Sequence, residues 1–279
     1  MPFPEDIRMP NRVKFFVALV VCAGLIQPNG LSADQVGVRY TEGLLHGFLV
    51  LQTLEGKALA VGDLTQTAEG DRVTSKLVLR FNDGSIHEET TVFSQRDKFQ
   101  VIKYHIVQKG PAFKRPLETS IDVSSGQITV RYAEDDGNEK VLNERLDLPP
   151  DVANGMVPTL LKNILPTLPR TTVSIVASTP KPRLVKLAIA PQGQEPFSVG
   201  GFNRTATHYV LKVEIGGLAG IVAPLVGKQP PDVHVWILAG EVPVFLKSEG
   251  PLYDGGPIWR IEQISPVWPR RSTAGSPKN

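Results

Sequence analysis

Val73-Thr74-Ser75-Lys76-Leu77-Val78-Leu79-Arg80-Phe81, followed at once by Asn82-Asp83-Gly84-Ser85 and then Ile86–Ser94, decides the fold. Val73, Ser75, Leu77, Leu79 and Phe81 alternate with Thr74, Lys76, Val78 and Arg80. That period of two sends one set to each face of a strand, the pattern of a sheet with one wet side. Asp83-Gly84 tolerates the positive φ that a tight hairpin requires, so Ile86–Ser94 is the antiparallel return strand.

The same grammar extends in both directions. Gln95-Arg96-Asp97-Lys98 turns the chain into Phe99–Val107. Ser124-Ser125-Gly126 and Asp135-Asp136-Gly137-Asn138 bracket Gln127–Tyr132, and Lys140–Leu148 closes this half. Upstream, Phe48-Leu49-Val50-Leu51 within His46–Leu51 is apolar at every position. It is expected to be covered on both sides, by a helix or a folded-over sheet.

One helix interrupts the strands. Asn154 is expected to cap it and Pro158 suits its first turn. Met156, Leu160, Leu161 and Ile164 form an apolar stripe, and Pro166 ends it. From about residue 171 the β pattern resumes, with Val185, Leu187 and Ile189 and then Tyr209, Leu211, Val213 and Ile215 alternating with polar neighbours. Asp232–Leu238, Val242–Lys247 and Ile258–Ile264 finish it. The expected fold is mainly β: a large curved antiparallel sheet or partly open barrel cupping one amphipathic helix. A single β-rich domain is expected over 34–268, with a signal peptide at 1–33 and a polar, disordered tail at 269–279.

The leader reads from its three parts. Phe15–Ile26 is an uncharged apolar run of 12 residues, preceded by Arg12 and Lys14, broken by Gln27-Pro28-Asn29-Gly30 and followed by Leu31-Ser32-Ala33 before Asp34. It is shorter than the roughly 20 residues of a membrane-spanning helix, so no stable transmembrane anchor is expected after cleavage. Glu5-Asp6 is unusual ahead of such a run, and a start at Met9 gives a cleaner leader. Cys22 is the sole cysteine. Val21 before it is too bulky for a lipidation box, so the mature chain is expected to carry no thiol, disulfide or thiolate metal site. Of the 30 basic and 28 acidic residues, the leader removes three and two, leaving a net charge of +1. That balance gives no long-range pull on nucleic acid. A periplasmic or secreted location follows, and nothing specifies an oligomeric state.

The chemistry-bearing residues are sparse. His46, His87, His105, His208 and His234 show no metal-ligand spacing. His87 and Glu89 share a strand face, but are read as solvated sheet residues. Asp135-Asp136-Gly137-Asn138 hints at calcium and reads more simply as a hairpin turn. No Gly-x-Ser-x-Gly elbow is present, and Gly216–Gly220 lacks the lysine and serine of a phosphate loop. No catalytic residue, metal or cofactor is expected.

Gly216–Gly227 carries no charge over 12 residues and holds Leu218, Ile221, Val222, Leu225 and Val226. Each of those side chains gains roughly 1.5–3 kcal/mol on full burial. They belong either to an ordinary loop folded on its own core or to an apolar lid or pocket. Trp236 and Trp259 read first as core. As pocket residues they join this set, with Tyr209 and Phe245 beside them.

A leader, a run of strands, Leu146-Asp147-Leu148-Pro149-Pro150-Asp151-Val152 running into one helix, and an ending Trp236–Ile264 with Pro243, Ser248-Glu249-Gly250 and Gly255-Gly256-Pro257-Ile258-Trp259 resemble an uncharacterised family of exported bacterial β-proteins. The outline is similar to the lipoprotein-carrier and lipoprotein-receptor fold. The resemblance implies a curved sheet around an apolar cavity and a binding or chaperone-like role, and it brings no catalytic residues. The function expected is a non-catalytic exported protein that binds a lipid or other apolar ligand, or serves envelope maintenance. The alternatives are an interaction module using a sheet edge and an exported hydrolase, which converging His and carboxylate side chains in a pocket would favour.

Overall fold

The computed structural model describes residues 35–134, 137–199, 202–214 and 230–264. The expected leader, the Asp135-Asp136 pair, Leu218, Ile221, Val222, Leu225, Val226, Trp268 and the expected tail lie outside them.

The first meander runs through β1 (Leu45–Gln52), β2 (Ala58–Glu69), β3 (Arg72–Phe81), β4 (Ile86–Gln95), β5 (Phe99–Lys109), β6 (Leu117–Asp122), β7 (Gln127–Ala133) and β8 (Glu139–Arg145). Helix α1 (Val157–Asn163) follows. The second meander is β9 (Thr171–Ala177), β10 (Arg183–Val199), β11 (Phe202–Glu214), β12 (Val233–Leu238), β13 (Val244–Pro251) and β14 (Ile258–Ile264). Every ladder is antiparallel, and β14 pairs with β1 to splice the two meanders into one sheet of 14 strands. Strands β8 and β9 are its two outer edges.

The sheet curls around α1. The main core joins Val73, Phe93, Tyr104 and Ile121 of the first meander to Leu187, Tyr209, Leu211 and Val235 of the second. Met156, Leu160, Leu161 and Ile164 stand between them, each at most 4% exposed. The apolar stripe therefore fills the concave side, as its spacing predicts. At one end the segment before β1 straps the helix down. Asn163 Oδ1 accepts the Arg39 and Tyr40 amides at 2.8 and 2.7 Å. Glu42 ion-pairs with Lys162, and Gln95 holds the Glu42 backbone from both sides, at 2.6 and 2.9 Å.

Three local expectations need correction. Asn154 does not cap α1: the capping position is Met156 and no side chain bonds there. Instead Asn154 Nδ2 donates to the Val176 carbonyl at 2.8 Å and its Oδ1 accepts the Val176 amide at 2.9 Å. The side chain copies a neighbouring strand. Ala153 and Ser174 exchange a backbone bond beside it, and Val152 bridges Ser174 in parallel. This segment covers the β9 edge, which explains why β9 is buried on both faces.

Strand β1 is not apolar-covered on both sides. Leu49 and Leu51 are buried, whereas Phe48 and Val50 on the other face are half-buried. Strand β10 is far longer than the 185–189 pattern suggests, running through Pro191 and Pro196. Both prolines lie past Ile189, the last residue paired with β9, where β10 has only one neighbour and a missing N–H breaks no second ladder.

Candidate functional site

Strand β4 carries the site. Its inward residues include His87, Glu89, Thr91 and Phe93, and with buried Ser85 just before the strand they make a run more polar than a closed core tolerates without partners. Cross-strand pairing sets Leu79 and Gln108 beside His87, Leu77 and Ile106 beside Glu89, and Ser75 and Tyr104 beside Thr91. The sequence expectation that His87 and Glu89 share a face holds. The expectation that they are solvated does not: His87 is 3% exposed, because the curl of the sheet brings the opposite wall over them.

His87 is oriented by its neighbours. Gln108 Nε2 donates to the Leu252 carbonyl at 2.8 Å, which fixes its amide orientation because a carbonyl only accepts. The same nitrogen stands 3.1 Å from His87 Nδ1, which is therefore the lone-pair nitrogen. The proton sits on Nε2, and Nε2 is buried with no partner. Burial pushes the imidazole pKa down to about 4, so the ring is neutral at pH 7.

Glu89 lies among protein atoms yet keeps some accessible surface. Burial raises its pKa, and a hydrogen bond from the Tyr104 hydroxyl opposes the rise. Tyr104 is pushed well above its ordinary value by burial first, then by the Glu89 charge, and it also bonds the Ser178 side chain. Gly155, with φ +66°, closes this patch from the helix side. A Cβ there would lie 1.9 Å from Thr91 Oγ1 and 3.2 Å from Glu89 Oε1. Two more inward polar atoms, Gln66 Oε1 and Thr119 Oγ1, are buried without partners. Each such atom costs about 1–3 kcal/mol.

An aromatic cover adjoins the polar patch. Phe113 stacks against His87 at 6.4 Å, and its ring meets Phe81 at 5.4 Å and Tyr253 at 5.6 Å. Trp259 completes the group, 5.6 Å from Phe81 and 6.2 Å from Tyr253. Phe113 and Tyr253 belong to turns, not strands. The first turn is pinned by the Ala112 amide donating to Ser85 Oγ at 2.8 Å.

No protein-family model matches the chain, and no curated protein matches it. Among solved structures it is similar to a β-barrel-like protein of domain of unknown function DUF1849 from Brucella abortus. The two are 9% identical, the match covers 81% of this chain and 98% of that one, and the TM-score is 0.45.

Of the residues singled out from sequence, Trp259 lies in this aromatic cover and Trp236 does not. Trp236 pairs with Lys247, which pairs with Glu262. That row is on the outer face, three residues and hence one face away from Trp259. There Trp236 stacks on His208 at 4.4 Å, donates to Glu195 at 2.8 Å and carries Lys247 over its ring at 4.1 Å. His208 also meets His234 at 2.9 Å, a proximity that strand pairing creates from residues far apart in sequence. Tyr209 is core, its hydroxyl donating to the Ile164 carbonyl at 3.2 Å. Among the described residues no group of three metal-binding side chains converges.

The patch combines one fixed neutral donor, one enclosed carboxyl and an apolar wall. Nothing described at His87 Nε2 is a nucleophile, and Nδ1 is held by an amide, which cannot stabilise an imidazolium as a carboxylate does. What this arrangement offers chemically is a hydrogen-bond donor and a carboxyl beside aromatic rings.

Proposed function

We propose that the chain is an exported, non-catalytic protein that holds an amphiphilic, largely apolar molecule at this end of the curled sheet. The observation that carries the reading is His87 Nε2, a buried donor with no partner, set against Phe113, Phe81, Tyr253 and Trp259. Protein interiors satisfy nearly all such donors, and those left open call for a ligand or water. The leader supports export. The sequence outline that resembles lipoprotein carriers and receptors would point the same way.

The test is mass spectrometry of an organic-solvent extract from protein exported under its own leader, with dansyl-undecanoic acid titrated into the stripped protein. A stoichiometric apolar molecule, and probe fluorescence lost in a folded Tyr253→Asp variant, are the expected results. An empty protein that ignores the probe removes this reading. The free edge of β8, where Val141 is 56% exposed, favours a second one, the docking of a partner strand. It would show as a crosslinked partner at β8 with no bound lipid.

A further inference from the structure

We propose that the ligand's polar end is a neutral hydroxyl, which accepts a hydrogen bond from His87 Nε2–H and donates one to the Glu89 carboxyl. The inference rests on the binding reading above and adds the chemical class of the ligand to it.

The geometry makes the choice. His87 and Glu89 are two residues apart on one strand, so their backbones are about 6.6 Å apart and their side chains leave the same face of the sheet. His87 offers a donor and no acceptor there, because Gln108 occupies Nδ1. Glu89 offers an acceptor whose other bond comes from Tyr104. A hydroxyl is the smallest group that both accepts and donates, and it satisfies the two residues at once.

A charged head fits poorly. The side chains beside Glu89 across the sheet are Leu77 and Ile106, and those along the strand are His87 and Thr91. None is a lysine or arginine, so an anionic head gains no counter-charge and meets a carboxyl. Burial drives Glu89 and Tyr104 up and His87 down to about 4, each towards its neutral form. A site that expels the charge of its own imidazole also disfavours a ligand ammonium. The apolar chain of the molecule would then lie along Phe81, Phe113 and Trp259, once the turns carrying Phe113 and Tyr253 open. His87 Nε2 is shut off from solvent while those turns are closed.

The experiment titrates dodecanol, laurate, dodecylammonium and dodecane, each below its aggregation concentration, against the full mature protein at pH 7. Melting shifts and displacement of dansyl-undecanoic acid are the readouts. Dodecanol is expected to bind about tenfold more tightly than dodecane and the two ions, the value of one well-made hydrogen bond to a buried group. In His87→Phe that preference over dodecane falls about threefold, to what the Glu89 carboxyl alone supplies, while dodecane itself binds as before. A second measurement needs no variant: the His87 Nε2 nitrogen and its proton shift on adding dodecanol and not on adding dodecane. If no probe binds and no native lipid is extracted, the binding reading itself fails. If the probes bind but laurate or dodecylammonium is preferred, or the preference is undiminished in His87→Phe, the hydroxyl assignment is overturned and the binding reading stands.

Discussion

At the scale of single residues, burial shifts the site's groups towards their neutral forms, and this has a pH signature. His87 is protonated at about pH 4 in the fold and near pH 6.5 in the unfolded chain. As pH falls through that window, the unfolded chain takes up a proton that the fold refuses, so stability drops on acidification and is flat above it. The loss amounts to about 3 kcal/mol. Glu89 acts in the opposite sense. Its raised pKa lets the fold hold a proton the unfolded chain has released, a contribution present at low pH and lost as pH rises. Comparing wild type with His87→Phe separates the two, because Glu89 is common to both. Urea unfolding at pH 7 and pH 4 is expected to show wild type losing about 3 kcal/mol more than the variant; parallel losses would mean that His87 titrates as an exposed imidazole. The face shared by His87 and Glu89 was readable from strand period. Their burial was not, since period tells which residues share a face and not what covers it. The covering groups, Gly155, Ser178, Leu252 and Phe113, come from four separate loops.

At the scale of elements, strands with strict alternation and a strong turn were legible almost to the residue, and β3, read as Val73–Phe81 and observed as Arg72–Phe81, is one of them. Those that deviate were not. Strand β2 carries Gly62 where a Cβ would lie 2.4 Å from the Val78 carbonyl, so close packing replaced the apolar side chain that would have marked the strand. Helix α1 spans seven residues, too few to persist alone. What places it is the 151–154 segment fastened to β9. Here Ser174 Oγ donates to Asp151 Oδ2 at 2.7 Å and Lys186 Nζ reaches Ser174 Oγ at 2.8 Å. Asn154 is the test of this account. Asn154→Ala strips two hydrogen bonds from buried Val176 and is expected to cost about 2–4 kcal/mol. Asn154→Asp discriminates further. If residue 154 capped the helix, aspartate would serve as well or better. As a strand mimic it sets a carboxylate against the Val176 carbonyl, so the expected denaturation midpoint is no higher than that of the alanine variant.

At the scale of the whole molecule, two meanders contiguous in sequence complete one another in space. The seam is the β1–β14 ladder, whose five residue pairs from Phe48↔Ile264 to Gln52↔Arg260 join strands from opposite ends of the described chain. The interior adds contacts that cross from one half to the other: Gln108 to Leu252, Asn154 to Val176, and Tyr209 to Ile164 at the end of the helix. Between α1 and β9 the chain passes through Leu165-Pro166-Thr167-Leu168-Pro169-Arg170, exposed throughout. Such a stretch tolerates a backbone break, because no buried amide depends on its continuity. A protease site placed between Leu168 and Pro169 is therefore expected to give a cut protein that still elutes as one particle with an unchanged far-ultraviolet spectrum. Its melting temperature should fall by about 5–10 °C and become dependent on concentration, since unfolding now also separates two chains. Neither fragment should fold alone: each would expose one strand of the β1–β14 seam, and the first would also bare half of the core around α1. Fragments that drift apart without denaturant, each keeping its own sheet signal, would show that the halves are independent bodies. The surroundings of His87, formed by β4 and β5 on one side and by the Leu252 and Ser178 loops on the other, would then have no fixed geometry. The same cut consequently tests the fold and the precondition of the proposed binding site together.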